Sequence, residues 1–173
     1  MLVNYVLYQA GWFACVLGGA SGYPWTGFAA AMALMLTHLV RAPDKAGECR
    51  LAVIAVIVGL GVESYQIWAG TYRVMSGTLL VGWPPLWLLA MWAQFATTFR
   101  FSLRYIMTRP TRAALFGGAG GPIAFLAGER LGAVVLLPPV SLGLLRLAIA
   151  WGLALTVLSV VTRGEMPDGE GRR

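Results

Sequence analysis

The chain has 173 residues, of which 58% are hydrophobic and only 12% are charged. Soluble domains carry about 25% charged residues, so this is not the composition of an ordinary soluble domain. The formal net charge of +6 does not indicate a nucleic-acid partner, because the cations cluster in short loops between long apolar segments.

Six apolar segments follow one another along the chain, at residues 2–20, 24–40, 51–70, 84–106, 113–128 and 140–161. Each is close to the roughly 17–25 residues with which a helix crosses a bilayer. No basic residue precedes the first segment, so we expect it to be a span rather than a cleaved signal peptide. We predict an all-α integral membrane bundle of six transmembrane helices over residues 1–162, followed by a short polar tail at residues 163–173.

The cations predict the orientation of this bundle. With six spans, ten of the thirteen Lys and Arg residues fall on one side of the membrane. Only Arg73 and Arg130 fall on the other side, and Arg146 lies inside the sixth segment. Since cytoplasmic loops carry the excess of Lys and Arg, both termini are predicted to be cytoplasmic.

A carboxylate lies deep in the third segment, at Glu63. Arg146 of the sixth segment is predicted at the same depth, each about 10 Å below the outer boundary. Gln66 lies one turn from Glu63 on the same helix face. Two interpretations remain open: a buried Glu63–Arg146 pair that aligns the helices, or a polar ligand pocket in which Glu63 acts as an acid, a base or a cation ligand.

A polar stripe marks the fourth segment, where Gln94, Thr98 and Ser102 follow at intervals of four. On one helix these side chains share a face and must avoid lipid. They are predicted either to bond to a neighbouring helix or to line a ligand cavity. Asn4 and Gln9 of the first segment are candidates to meet them.

Cations and one histidine gather at the predicted cytoplasmic side. Arg100 and Arg104 extend the fourth segment, and Arg109 and Arg112 follow it. Four cations beside a membrane match the pattern for binding anionic lipid headgroups, although topology determination alone would also place them there. His38, near the inner end of the second segment, is expected either to bond at the interface or to titrate beside lipid phosphates.

Pairs of small residues four positions apart predict close helix contacts. Gly117 and Gly121 form one such face, and Ala10 and Ala14 form another. Each is a candidate for packing within the chain or for docking a partner membrane protein. Alternatively, the glycine pairs before Pro122 would break the fifth helix and expose backbone dipoles to a polar site.

The sequence contains no GxSxG, HExxH, Walker loop or CxxC pattern and no paired carboxylates that suggest a metal. No catalytic residue, metal site or cofactor is therefore assigned, and whether the protein is an enzyme stays open.

Three stretches carry a family resemblance: residues 8–15 (YQAGWFAC), residues 92–98 (WAQFATT) and residues 120–132, from GGP to RLG. Together they resemble an uncharacterised family of small polytopic bacterial inner-membrane proteins, a domain of unknown function. The resemblance implies a multi-pass protein of the inner (cytoplasmic) membrane. It also implies a lipid-linked role, through gene neighbourhoods that contain cyclopropane-fatty-acid-synthase-like enzymes.

Three functional hypotheses follow. The first is a lipid-associated accessory protein in membrane or fatty-acyl lipid modification, with membrane lipids as its partners. The second is a small-solute binding or transport subunit, by analogy of size with vitamin-capture subunits. The third is an intramembrane enzyme that uses Glu63 and Arg146.

Overall fold

Seven helices and two short strands make up residues 2–165, the part of the chain that the computed structural model describes. In chain order they are α1 (Leu2–Ala20), α2 (Pro24–Arg41), α3 (Lys45–Trp68), β1 (Tyr72–Val74), α4 (Leu86–Ala96), α5 (Arg104–Met107), α6 (Pro110–Arg130), β2 (Val134–Leu136) and α7 (Val140–Gly164). The predicted all-α class is confirmed. The antiparallel pair β1–β2, which sets Tyr72 opposite Leu136, is an addition that the sequence did not predict. The predicted tail lies outside the described residues beyond Glu165.

Local chemistry explains where several helices begin. Pro24 and Pro110 open α2 and α6, where a missing backbone N–H costs nothing and the fixed φ suits a helix. The Asp44 carboxylate caps α3 by accepting the backbone N–H of Gly47 at 2.9 Å. Gly22, with a φ of +79°, makes the tight turn between α1 and α2.

The chain runs back and forth between two ends of the bundle. At one end, Asn4 of α1 donates to the Thr97 carbonyl after α4, and Arg50 of α3 pairs with Glu165 after α7 at 2.7 Å. At the other end, the Ser76 hydroxyl donates to the Gly19 carbonyl of α1. We call the second the strand end, because β1 and β2 lie there.

The first end is the basic end, because it holds most of the cations. Its described cations are Arg41, Lys45, Arg50, Arg100, Arg104, Arg109, Arg112 and Arg163. The strand end holds Arg73 and Arg130. The charge asymmetry that the sequence predicted between two sides is therefore a property of the folded bundle.

Two of the described helices are long and apolar enough to cross a membrane. They are α3, with 24 residues and a mean hydropathy of 1.7, and α7, with 25 residues and a mean hydropathy of 2.1. Only a third of the apolar part of each is buried inside the bundle, and the rest is partly or fully exposed.

The fourth predicted segment departs from the prediction, because α4 ends at Ala96 instead of continuing to residue 106. The hydroxyls of Thr97 and Thr98 donate to the carbonyls of Gln94 and Phe95, at 2.7 and 2.6 Å. The backbone N–H groups of the same threonines also bond three residues back rather than four. These short-range bonds replace the α-helical pattern with tight turns. The prediction that Gln94, Thr98 and Ser102 lie on one helix face is therefore wrong.

The cap of α3 yields a pH-dependent prediction. The Gly47 amide and the Arg100 guanidinium, which lies 2.8 Å from Asp44, lower the pKa of the exposed Asp44 carboxyl. A lowered pKa means that the charged carboxylate stabilises the fold above about pH 4 and stops doing so as the pH falls through the lowered pKa. We expect Asp44→Ala to melt at a lower temperature than the wild type at pH 7. The two melting curves should converge as the pH falls below about 4.

Asp44→Asn is the matched control for this experiment. It keeps the capping side chain but loses the charge opposite Arg100, so its deficit at pH 7 should be smaller than that of the alanine variant. Thermal melts in detergent between pH 3 and pH 7 provide the measurement. A deficit of Asp44→Ala that is independent of pH would contradict the assignment.

Candidate functional site

Glu63 is fully buried and joins three elements of the bundle. Its Oε2 accepts the Tyr72 hydroxyl of β1 at 2.6 Å, and its Oε1 accepts the Trp92 indole N–H of α4 at 2.9 Å. Both donors are themselves almost completely buried. A buried carboxyl group is tolerated only when its oxygens are hydrogen-bonded, and here each oxygen has its own donor.

A glycine makes room for the indole that binds Glu63. Gly59 lies one turn before Glu63 on α3, and a Cβ atom at this position would overlap the Trp92 ring. The ring therefore rests against the backbone of α3 with its N–H beside the carboxylate. On its other face Trp92 stacks on Trp151 of α7, with ring centroids 4.4 Å apart.

Gln66, predicted to share the face of Glu63, is also fully buried and ties α3 to the strand end. Its Oε1 accepts the Thr71 hydroxyl at 2.7 Å, and the Thr71 carbonyl accepts the backbone N–H of Leu137 after β2. Its Nε2 has no hydrogen-bond partner within residues 2–165.

The predicted Glu63–Arg146 pair is wrong. Arg146 donates instead to the carbonyl of Ala69, at 2.9 Å, where α3 ends. The last carbonyls of a helix have no partner inside it and carry partial negative charge, so they attract a cation. Sequence reasoning placed Arg146 near the correct end of α3 but matched it with the side chain rather than with the backbone.

The predicted polar stripe does meet α1, although it does not form one helix face. Gln94 donates to the Leu7 carbonyl at 3.1 Å, crossing α1 where Gly11 leaves no side chain in its way. Ser102 donates to the Asn4 side chain at 2.5 Å. The expected bonding between helices is thus confirmed for Gln94, Asn4 and Ser102.

A large apolar cavity lies between α1 and α6, with α4 and α7 behind it. Its volume is about 390 Å³. Nine of its lining side chains are aromatic: Tyr5, Tyr8, Trp12, Trp87, Trp92, Phe95, Phe116, Phe125 and Trp151. We call it the aromatic cavity. The back wall includes Trp92, so the Glu63 network lies directly behind the cavity.

The aromatic cavity is elongated and opens sideways. Its α1 lining runs from Tyr5 to Val16, which spans about 16 Å along the helix axis. Tyr5, Phe116 and Ile123 line it and are also substantially exposed, at 46%, 38% and 64%. Phe116 and Ile123 lie along the flank of α6, whereas Tyr5 lies in the first turn of α1 at the basic end. Of the polar residues predicted from the sequence, Gln9 and Thr98 line the cavity.

The predicted headgroup cations do not form one group. Arg100 pairs with Asp44 at 2.8 Å and with Glu48 at 3.3 Å. Arg112 lies 4.0 Å from the ring centre of Tyr105. Arg104 begins α5, and Arg109 is exposed at the start of α6. Contact of these cations with headgroups stays a prediction.

His38 bonds to the buried carboxylate of Glu48 at 2.9 Å and packs edge-on against Phe101. This is the hydrogen-bonding role that the sequence allowed for it. Within residues 2–165, no group of three or more His, Cys, Asp or Glu side chains is arranged to hold a metal.

The small-residue faces have different surroundings. Gly117 and Gly121 lie directly against Trp151 of α7, and α6 continues unbroken through Pro122. This face is therefore filled within the chain. Ala10 is exposed on α1, and docking of a partner through Ala10 and Ala14 stays a prediction.

Sequence reasoning missed both hydrogen-bond donors of Glu63. One signal was available for Trp92: Gly59 precedes Glu63 by one turn, and a glycine beside a buried carboxylate leaves room for a large donor. Nothing in the sequence signals that Tyr72 folds back, because this depends on β1 pairing with β2.

The architecture defines a helical bundle with a buried carboxylate network behind a laterally open apolar cavity. Residues 1–157 match the family described as Protein of unknown function (DUF2878), and the chain belongs to that family. This confirms the resemblance to a family of unknown function. Comparison with curated proteins and with solved structures gives no match.

The Glu63 network predicts an effect on stability. Tyr72→Phe keeps the ring but removes the donor to a fully buried carboxylate, which should cost about 1–3 kcal/mol of unfolding free energy. Tyr65→Phe is the matched control, because Tyr65 is half exposed on α3 and its hydroxyl has no bond within the described chain. We expect a lower melting temperature in detergent for Tyr72→Phe alone. Equal melting temperatures for the two variants would argue against the network.

Proposed function

We propose that this protein is a six-span inner-membrane protein that holds the hydrocarbon chain of a membrane lipid in the aromatic cavity. One observation carries the proposal: an elongated, aromatic-lined cavity that opens through the flank of a bundle whose α3 and α7 are of membrane-spanning length. The flank of a spanning bundle faces the hydrocarbon of the bilayer. The ligand within reach of such an opening is therefore an acyl or similar chain.

The size and lining of the cavity agree with this ligand. Its volume of about 390 Å³ is within the range of roughly 300–1,000 Å³ that is usual for ligand pockets. Flat aromatic side chains offer large contact areas to a flexible chain. Apart from the tyrosine hydroxyls and the tryptophan indole N–H groups, the polar side chains in the lining are Gln9 and Thr98, and the Thr98 hydroxyl is already bonded.

The alternatives have less support. A polar solute such as a vitamin needs several converging hydrogen-bonding groups, which this lining lacks. An intramembrane enzyme that uses Glu63 and Arg146 would need both groups to reach a substrate. Glu63 is fully enclosed with both oxygens bonded, and Arg146 binds the end of α3.

A lipid chain held beside the bilayer suits an accessory role in acyl or envelope-lipid modification. The protein would bind one chain in a defined position and present it to an enzyme. No catalytic group of its own is needed for this, in keeping with the lack of a catalytic motif in the sequence.

The six-span topology is part of the proposal. It is supported by the alternation of the chain between the basic end and the strand end, because the break after α4 does not change the direction in which the chain crosses. The positive-inside rule assigns the basic end, with both termini, to the cytoplasm.

A cavity-filling variant tests the bound chain. Gly120 lines the cavity on α6, and nothing lies within 4 Å of a Cβ placed there. Gly120→Phe should therefore fill the cavity without a clash. In nanodiscs made with a phospholipid that carries a photoactivatable diazirine on its acyl chain, we expect crosslinks to α1 and α6 in the wild type. They should fall several-fold in the variant.

Gly61→Phe is the matched control, because Gly61 on α3 also has nothing within 4 Å and does not line the cavity. Its crosslinks should equal those of the wild type. Unchanged crosslinking in Gly120→Phe would overturn the proposal. So would a dimer, seen by native mass spectrometry, that Gly120→Phe disrupts while lipid crosslinking is unaffected.

The topology is tested with the native cysteines. Cys49 is exposed at the basic end, whereas Cys15 is buried. A membrane-impermeant maleimide should leave Cys49 unlabelled in intact spheroplasts and label it after permeabilisation. In a Cys49→Ser background, Val81→Cys at the fully exposed strand-end loop should be labelled without permeabilisation. The reverse pattern would contradict the orientation.

A further inference from the structure

A second, smaller cavity lies at the basic end, between α1, α2 and the segment that ends α4. Its volume is about 220 Å³, roughly seven times the share of one water molecule in the liquid. Its polar lining side chains are Asn4, Thr37, His38, Arg41, Gln94 and Thr97. We call it the polar cavity. The aromatic cavity shares only Tyr8 with it.

The polar cavity lies beside the part of α2 from Leu34 to Arg41, away from a close contact of α1 and α2 near the strand end. At Gly27 the backbone of α2 meets α1 so closely that a Cβ would lie 2.7 Å from the Ala14 carbonyl oxygen. From Gly27 to Leu34, the first residue of α2 that lines the cavity, the helix rises about 10 Å. The space opens at the end that the proposed topology assigns to the cytoplasmic surface.

Two side chains in the lining of this cavity have an unused bonding group, one a hydrogen-bond acceptor and the other a cation. Gln94 is 2% exposed, and its Oε1 accepts no hydrogen bond within residues 2–165. Arg41 is exposed and forms no ion pair within the same residues, whereas the neighbouring Glu48 carboxylate is already bound by His38 and Arg100. The polar cavity therefore offers an unused cation, whereas the Gln94 Oε1 is enclosed by protein atoms.

We propose that the polar cavity binds the anionic head of a phospholipid, with the phosphate on Arg41 and the rest of the headgroup against the other polar side chains of the lining. Arginine binds phosphate through charge-assisted hydrogen bonds. A free phosphate ester shares this chemistry. Location at the membrane surface favours the lipid source. The proposal rests on the proposed membrane placement but not on occupancy of the aromatic cavity.

The test measures headgroup preference. The full chain in phosphatidylcholine nanodiscs receives increasing phosphatidylglycerol with the same acyl chains, and native mass spectrometry counts the lipids retained after extraction. We expect the wild type to retain phosphatidylglycerol in preference. Arg41→Gln should reduce that preference roughly tenfold, as expected for the loss of one charge-assisted hydrogen bond.

Two further variants make the result specific. Lys45→Gln removes a cation at the start of α3, outside the cavity, and should keep the wild-type preference. Leu34→Trp adds volume to the cavity wall without changing the charge and should abolish the preference. Gly120→Phe should keep it, so this result separates the headgroup site from the aromatic cavity.

Three outcomes would overturn the proposal. The first is a wild type without headgroup preference. The second is equal loss in Arg41→Gln and Lys45→Gln, which would reflect general surface charge. The third is displacement of phosphatidylglycerol by millimolar inorganic phosphate or glycerol phosphate, which would assign the site to a soluble phosphate compound instead of a lipid.

Discussion

The bundle depends on one buried carboxylate, Glu63, and on the two donors that it holds. The Tyr72 hydroxyl and the Trp92 indole come from different elements, and both meet α3 at this point. Removing either donor would leave a polar oxygen unsatisfied in an apolar interior, which costs more than the bond itself contributes. The carboxylate therefore sets where β1 and α4 lie against α3. It does so without an opposite charge, through hydrogen bonds from neutral groups.

The position of Trp92 in turn determines the wall of the aromatic cavity. Its ring is packed between the backbone of α3 at Gly59 and the ring of Trp151. Packing on both faces holds the ring in a fixed position, so it forms a rigid part of the cavity wall. Trp151 is itself packed against Gly117 and Gly121 on α6. Small residues on α3 and α6 thus hold two large rings in place. The cavity remains open in front of them because Gly120 projects no side chain into it.

The sequence predicted much of this architecture and missed what depends on tertiary contacts. Apolar length and loop charge located α1, α2, α6 and α7 to within three residues at each end and predicted which cations share an end. Glu63 was correctly identified as a buried polar group that needs partners. Its assignment to Arg146 was wrong because depth along a helix does not reveal which side chains face each other, and because the carbonyls at a helix C-terminus also attract a cation. The end of α4 was missed because Thr97 and Thr98 are compatible with a helix until their hydroxyls bond to the preceding carbonyls.

The early end of α4 separates the two cavities. Had the helix continued to residue 106, its polar residues would lie on one stripe and face one neighbour. Instead, the tight turns after Ala96 place successive side chains on opposite sides. Thr98 and Leu103 line the aromatic cavity, whereas Thr97 and Phe101 line the polar one. Hydrogen bonds from Gln94 and Asn4 join this segment to α1. The segment therefore lies between the aromatic cavity and the polar cavity. An apolar site and a polar site can therefore coexist in a bundle of fewer than 180 residues.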